Sequence, residues 1–414
     1  MSAGPSIERR SGMQDWAALV LSACIVAVLG LLWTLSAGRF LPPPEYADFT
    51  AGASLIYFAA MAFGPLSQTI AWFAATREES AGNAIRAAER LVLMLGVAAL
   101  VVFAVVSPWV SGTLHFRSAR PLFVVLIVVP ILAISAIRRG FVQGLERFPL
   151  YSASISFEAI VRVGLLFLAF ALVRDAASSL VTYAVANAIA VLLLPVAPAQ
   201  GDADLRPLFR FFSLSFLATV IYSAFLYSDI LMVKLFFDTN RAALYGAASF
   251  VAKGVGMLVA PFYVYAVPYF ARAADPEEMR RRFARLCLGF LGLELIAVAA
   301  LYVLRGPIIA LLLGARYTDA AEIILPISIA VAVGGFTFIA VQALAARERF
   351  DFVPWYAAGY LVQLAAVALW HETLTQVAFA IAGTQLVTLM LMAPKIVRAL
   401  ARSASPAIPA SHSH

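Results

Sequence analysis

Three ionisable side chains sit inside apolar stretches of this sequence: Asp229 and Lys234 in "YSDILMVK" (227–234), and Lys253 in "AKGVGM" (252–257). An ionised group deep in hydrocarbon costs at least about 2.5 kcal/mol, so each implies a partner or a task. Asp229 and Lys234 are five residues apart. On a helix they diverge by about 140° and rise about 7.5 Å, so they do not pair with each other. Lys234, near the end of its apolar run, reaches the interface by snorkelling. Asp229 lies two turns deeper. It is either the partner of Lys253 across a helical hairpin or a site for a coupling ion or proton. Glu158 and Arg162 are four apart, hence on one helix face and within pairing reach. Their pair either fixes the helix or sets Arg162 on a cavity wall facing an anionic substrate. Glu294 has no local partner and reads as an interhelical hydrogen bond or an ion site.

What positions these residues follows from composition. Of 414 residues, 63% are hydrophobic and 13% charged, where a soluble domain carries about 25% charged residues. The chain is therefore an all-α polytopic membrane protein, and its net charge of +7 is a topology signal, not a nucleic-acid footprint. Cys24 and Cys287 fall within apolar runs and read as small core residues, and no metal site is expected. No phosphate-cradling Walker loop, HExxH or extramembrane carboxylate pair occurs, so the sequence predicts neither ATP hydrolysis nor another enzymatic activity.

Crossing about 30 Å of hydrocarbon takes about 20 residues. About twelve runs meet that need, near 16–37, 46–74, 88–111, 121–138, 151–173, 178–197, 209–236, 242–271, 284–304, 321–345, 353–371 and 374–394. With the N-terminus inside, the inner segments hold twenty Lys and Arg, the outer ones seven, and Arg162, Lys234 and Lys253 lie within spans. That bias places both termini in the cytoplasm of a cell (inner or plasma) membrane. The expected organisation is a cytoplasmic tail 1–15, a six-helix lobe 16–198, a linker 199–208, a second six-helix lobe 209–395, and a disordered cytoplasmic tail 396–414.

The two halves repeat. "FTAGASLIYFAAMAFGP" (49–65) and "YGAASFVAKGVGMLVAP" (245–261) each run from an aromatic residue to a proline, at an offset of 196. "VQGLERF" (142–148) recurs as "VQALAARERF" (341–350). Six spans per half relate the lobes by a pseudo-twofold axis along the membrane normal, an arrangement found in transporters. The offset carries Tyr57 onto Lys253.

With spans and repeat in place, the chain resembles the multidrug/oligosaccharidyl-lipid/polysaccharide (MOP) exporter superfamily, in its polysaccharide-biosynthesis, Wzx-type flippase branch. The resemblance covers nearly the whole chain. It is carried by "AGRFLPPPEYADFTAGASLI", "GPLSQTIAWFAA", "RRGFVQGLERFPLYSASISFEAIVRVGLL", "YSDILMVKLFFDTNRAALYGAASFVAKG" and "LLLGARYTDAAEIILP". It implies a MATE/MOP-like fold with a V-shaped cavity, and flipping of a pyrophosphate-linked oligosaccharide or polysaccharide precursor from the cytoplasmic to the outer leaflet. It assigns Lys253, Arg162, Tyr57, Gln68 and Arg39 to the substrate cavity, and Asp229, Glu158 and Glu294 to ion coupling or charge pairing. Implied partners are the lipid-linked glycan, membrane lipids and polysaccharide polymerase or glycosyltransferase machinery. No cofactor is implied beyond Na+ or H+ coupling. The pattern departs in two places. No charge lies between Trp16 and Arg39, and in the eleventh and twelfth spans Asp229 finds only Gln363, Thr384, Gln385 and Thr388 as polar counterparts. A cation-coupled multidrug antiporter and a non-transporting component of a polysaccharide synthase complex are the alternatives.

Overall fold

Long apolar runs deprived of water must satisfy their backbone internally, and helices do so within each segment. A computed structural model describes residues 5–76, 78–196, 206–256, 275–347 and 349–401, with 259, 262, 263, 266, 269, 270, 272 and 273. Among the described residues the regular structure is helical, with no strand. In chain order the α-helices are α1 (Pro5–Phe40), α2 (Pro43–Ala62), α3 (Gly64–Thr76), α4 (Glu78–Thr113), α5 (Arg120–Gly144), α6 (Phe148–Leu172) and α7 (Ala176–Leu192). Then come α8 (Arg206–Phe236), α9 (Thr239–Gly256), α10 (Pro276–Leu312), α11 (Ala321–Ala345), α12 (Val353–Leu369) and α13 (Leu374–Ala401).

Prolines open α2, α5, α6 and α12, where the first turn has no use for an N–H donor. Pro65 does the opposite work: it removes a donor mid-span and breaks the second span into α2 and α3 at Phe63. Counting that pair as one gives twelve helical segments among the described residues, against twelve apolar runs in the sequence. Nine helical stretches among the described residues are long and apolar enough to cross a membrane, and α7 and α12 are apolar but shorter. On α4 only 6% of the most apolar window is buried, and Leu93, Met94, Val101, Val105 and Trp109 stand exposed. Such a surface requires lipid around it.

The chain separates into two units, one of residues 1–254 with 306–321, the other of 255–305 with 322–414. The expected linker 199–208 lies mostly outside the described residues, as do 1–4 and 402–414 of the expected tails. Residues 396–401, read from sequence as part of a disordered tail, continue α13, with Ile396 and Ala399 buried. Their apolar positions, three apart, share one helical face, which the tail's polar composition beyond them obscured.

In the first unit α1 lies along α6, α3 along α5, α2 along α8, and α7 against both α5 and α6. Helix association in lipid gains little from hydrophobicity and depends on close backbone approach. Gly140 and Gly144, one turn apart on α5, provide it: a Cβ on either would collide with the carbonyl oxygens of Ser67 or Ala71 on α3. Leu66, Ile70, Phe73, Ala133, Ile137 and Phe141 fill the space around that seam.

A second tie joins α2 and α8 near the ends that approach the α4–α5 loop. Lys234 Nζ donates to Asp48 Oδ1 at 2.6 Å and to the His115 carbonyl at 3.2 Å, 4.5 Å from the Phe116 ring centroid. His115, at φ 51°, returns a hydrogen bond from Nδ1 to the Lys234 carbonyl. The Arg117 amide donates to Asp48 Oδ2, while its guanidinium pairs with Glu45, which also accepts from the Ala176 amide. Lys234 is only 1% exposed. It is therefore no interfacial anchor, contrary to the expectation from its place near a helix end. The carboxylate that draws it inward is 186 residues away in the chain.

Two outcomes follow for the purified protein in detergent. Gly140→Leu should lower the thermal unfolding midpoint, since overpacking a close seam costs about 1–3 kcal/mol, while Gly164→Leu, whose added carbons meet open space, should not. Lys234→Met should destabilise the fold by about 3–5 kcal/mol because it strands a buried carboxylate. Asp48→Asn/Lys234→Met should recover most of that loss. A double variant no more stable than the single one would show that the pair does not act as a unit.

Candidate functional site

Two charge clusters lie within the first unit, and helical spacing builds both. On α9, Tyr245, Ser249 and Lys253 follow one another at intervals of four and so share a face. All three point at Asp229 on α8. Lys253 Nζ donates to both carboxylate oxygens, at 2.7 and 2.8 Å, Ser249 Oγ donates to Oδ2 at 2.9 Å, and Tyr245 Oη does so at 3.2 Å. Tyr227 lies beneath the ammonium, its ring centroid 5.4 Å from Nζ. Asp229 and Lys253 are 3% and 6% exposed. The structure thus takes the first of the two readings open for Asp229: it is the partner of Lys253. The carboxylate keeps two hydroxyl donors of its own besides the lysine.

The second cluster has more cation than anion. On α6, Glu158 Oε1 accepts from Arg162 Nη1 at 3.2 Å, one helical turn away. Its other oxygen, Oε2, accepts from Arg139 Nη2 on α5 at 2.8 Å. Arg139 also donates from Nε to Ser154 Oγ at 3.3 Å. Two guanidinium groups thus share one carboxylate, leaving one net positive charge. Arg162, 3% exposed, is enclosed by rings: its guanidinium carbon lies 4.5 Å from the Tyr183 ring centroid and 5.5 Å from that of Trp33. Aromatic faces stabilise a desolvated cation by about 2 kcal/mol. Trp33 Nε1 is held by Thr182 Oγ1 at 3.0 Å, which fixes the cage. The Arg162 Nε has no acceptor among the described residues.

Tyr57 completes that cage, edge-on to Trp33 and Tyr183 and stacked near Tyr227 at 6.0 Å between centroids. It therefore bridges the neighbourhoods of the two clusters. Gln68 is exposed on α3 and belongs to neither. Arg39 is exposed at the end of α1, where it donates to the Leu311 carbonyl at 2.5 Å. Glu294, on α10 of the second unit, is 2% exposed, and its Oε1 has no donor among the described residues. An interhelical hydrogen bond to that oxygen is thus not formed. Also in the second unit, Gln385 donates to Gln363 at 3.4 Å. Among the described residues no three His, Cys, Asp or Glu side chains gather as metal ligands.

Sequence reasoning passed over Asp48, and over Arg139, counting it among the basic residues that flank the membrane. The signal that could have found Arg139 is its place more than a helical turn before the end of α5 at Gly144. The repeat offset was a further guide. It sets Trp33, Phe49 and Tyr57 against Asp229, Tyr245 and Lys253. In the first set Trp33 packs tilted against Phe49 at 4.8 Å and edge-on to Tyr57 at 6.2 Å, where the second three form hydrogen bonds and an ion pair. Thr50 and Gly246 occupy matching positions and touch each other: a Cβ on Gly246 would fall against the Thr50 hydroxyl.

Comparison with known proteins agrees with this architecture. A sequence model of the family described as "Polysaccharide biosynthesis protein" matches residues 13–274. Among solved structures, the fold is similar to the lipid II flippase MurJ in an inward closed conformation, with a TM-score of 0.73, 12% identity, and coverage of 94% of this chain and 89% of that one. It is also similar to an inward-facing multidrug resistance MATE family transporter of the MOP superfamily, with a TM-score of 0.69, 14% identity, and coverage of 89% and 94%. An outward-facing structure from the same family gives 0.63, 13%, 93% and 96%. No curated protein sequence gives a significant match. A match over more than half of the chain makes this a member of the polysaccharide biosynthesis protein family, with a helical fold similar to those of MurJ and MATE transporters.

Proposed function

We propose that the chain moves a lipid-linked saccharide, joined to its lipid through phosphate or pyrophosphate, from the cytoplasmic to the outer leaflet by alternating access. The carrying observation is the unbalanced cluster of Arg139, Arg162 and Glu158, a buried positive excess in a member of a polysaccharide biosynthesis family. An exporter of cationic drugs would be served by the opposite excess. A synthase scaffold would have no use for a desolvated charge. Arginine suits the task because its planar fork meets phosphate oxygens in pairs.

Lys253 is the second substrate-facing cation in this reading. It reaches a phosphate oxygen only by giving up Asp229, and Asp229 can release it because Tyr245 and Ser249 remain as donors. Glu294 is where the driving force enters: a buried carboxylate without a donor at Oε1 binds a proton or a cation more readily than a paired one does. The protein sits in a cell membrane with both termini on the cytoplasmic side, as the distribution of basic residues supports.

Complementation of a strain lacking its own flippase tests this. Arg162→Gln and Lys253→Gln should each reduce surface glycan about tenfold or more per folded molecule in the membrane, the loss of one charge-assisted hydrogen-bonded contact. Full complementation by both would overturn the assignment. Glu294→Gln should leave substrate binding intact and abolish the dependence of transport on an imposed ion or proton gradient.

A further inference from the structure

The break between α2 and α3 has a consequence beyond topology. Where the second span interrupts at Phe63 and Gly64, a cavity of about 190 Å³ opens, walled by α2, α3, α5, α6 and α7 and lined by Ser67, Ser135, Arg139, Tyr151, Glu158 and Tyr183 among others. Three features mark it as built for a ligand. Ser135, 2% exposed, presents an Oγ with no hydrogen-bond partner among the described residues. Arg139 commits Nε and Nη2 to Ser154 and Glu158, and its Nη1 makes no hydrogen bond among the described residues. The cluster behind the cavity carries one uncompensated positive charge, since Glu158 is shared by Arg139 and Arg162.

A buried polar hydroxyl left unmade costs about 1–3 kcal/mol, and a buried unbalanced cation costs several more. One occupant relieves both: an anion with several acceptor oxygens. We propose that this cavity is a phosphoryl-binding subsite, in which Arg139 Nη1 and the Ser135 hydroxyl donate to the oxygens of a phosphate or diphosphate group. Tyr151 and Glu158 are seven residues apart on α6, so the cavity runs about 10 Å in depth. Arg162 lies one turn beyond Glu158. The headgroup thus meets Arg139 first, on the side where α6 begins, and Arg162 next. The same chemistry would be supplied by a lipid-linked diphosphate or by free inorganic phosphate. The lipid source rests on the transport reading above, whereas the anion site does not.

The test uses the full chain in detergent, titrated with inorganic diphosphate and, separately, with a polyprenyl diphosphate, and followed by thermal shift and direct binding. The native chain should bind at least one probe saturably, and more weakly as salt rises. Arg139→Gln should weaken binding about tenfold or more, and Ser135→Ala by a few-fold, in line with one charged and one neutral hydrogen bond. Arg139→Lys, which keeps the charge, should bind more tightly than Arg139→Gln and guards against misreading a folding defect. Binding of both probes identifies the phosphoryl group as sufficient; binding of the polyprenyl diphosphate alone identifies the lipid headgroup. Equal binding by the native, Arg139→Gln and Ser135→Ala chains, or none by the native chain, overturns the site. In cells, full export by Arg139→Gln alongside loss by Arg162→Gln would overturn the headgroup's use of this cavity and leave the transport reading standing.

Discussion

The cost of removing a charge from water governs this structure. Hydrocarbon offers an ionised side chain nothing, so each one inside the spans must bring its own solvent in the form of a counter-charge, a hydroxyl or an aromatic face. Asp48 with Lys234, Asp229 with Lys253, and Glu158 with two arginines are three answers to that demand. Each also fixes helices relative to one another, because a buried pair has no alternative partner to drift toward. Removing one member therefore costs far more than the pair itself contributes. The helix bundle is held less by apolar packing, which lipid can match, than by these few obligatory contacts and by the glycine seam of α3 and α5.

At positions matched by the repeat offset, the two halves carry different chemistries. The triangle of Trp33, Phe49 and Tyr57 is filled by rings, and the equivalent triangle of Asp229, Tyr245 and Lys253 by an ion pair with a phenol donor. The aromatic version leaves a face available, and Arg162 lies against it. The charged version consumes its own charge. The positive excess thus lies beside the aromatic set.

The sequence disclosed whatever depends on local periodicity. Twelve spans follow from runs of apolar residues, the Glu158–Arg162 pair from a spacing of four, and the repeat from a fixed offset. Contacts closed by the tertiary fold were not disclosed. Lys234 looked like an anchor because its partner Asp48 lies 186 residues away, and nothing in "YSDILMVK" points there. Arg139 looked like a membrane-flanking charge because hydropathy marks where an apolar run ends, whereas α5 continues to Gly144. Lys253 was one of two candidates for Asp229, the other being a coupling ion or proton. Only the shared face of Tyr245, Ser249 and Lys253 reveals how completely Asp229 is enclosed, and that face has meaning only once α8 is known to lie against it.

Under the proposed function, the contrast between the two clusters bears on how a transporter can hold an anion and still release it. A lone arginine in a dry cavity would bind phosphate too tightly to let it go. Glu158 tempers that attraction by engaging one nitrogen from each arginine and repelling the incoming anion. The Tyr183 and Trp33 rings temper it further by spreading the Arg162 charge over their faces. Lys253 is tempered more strongly, because Asp229 competes for it directly. A site assembled from partly satisfied cations binds more weakly than one of free cations, but it loses less when the ligand departs, since every donor has somewhere to return. For a carrier that must empty on each cycle, equal stability of the loaded and unloaded states matters more than affinity.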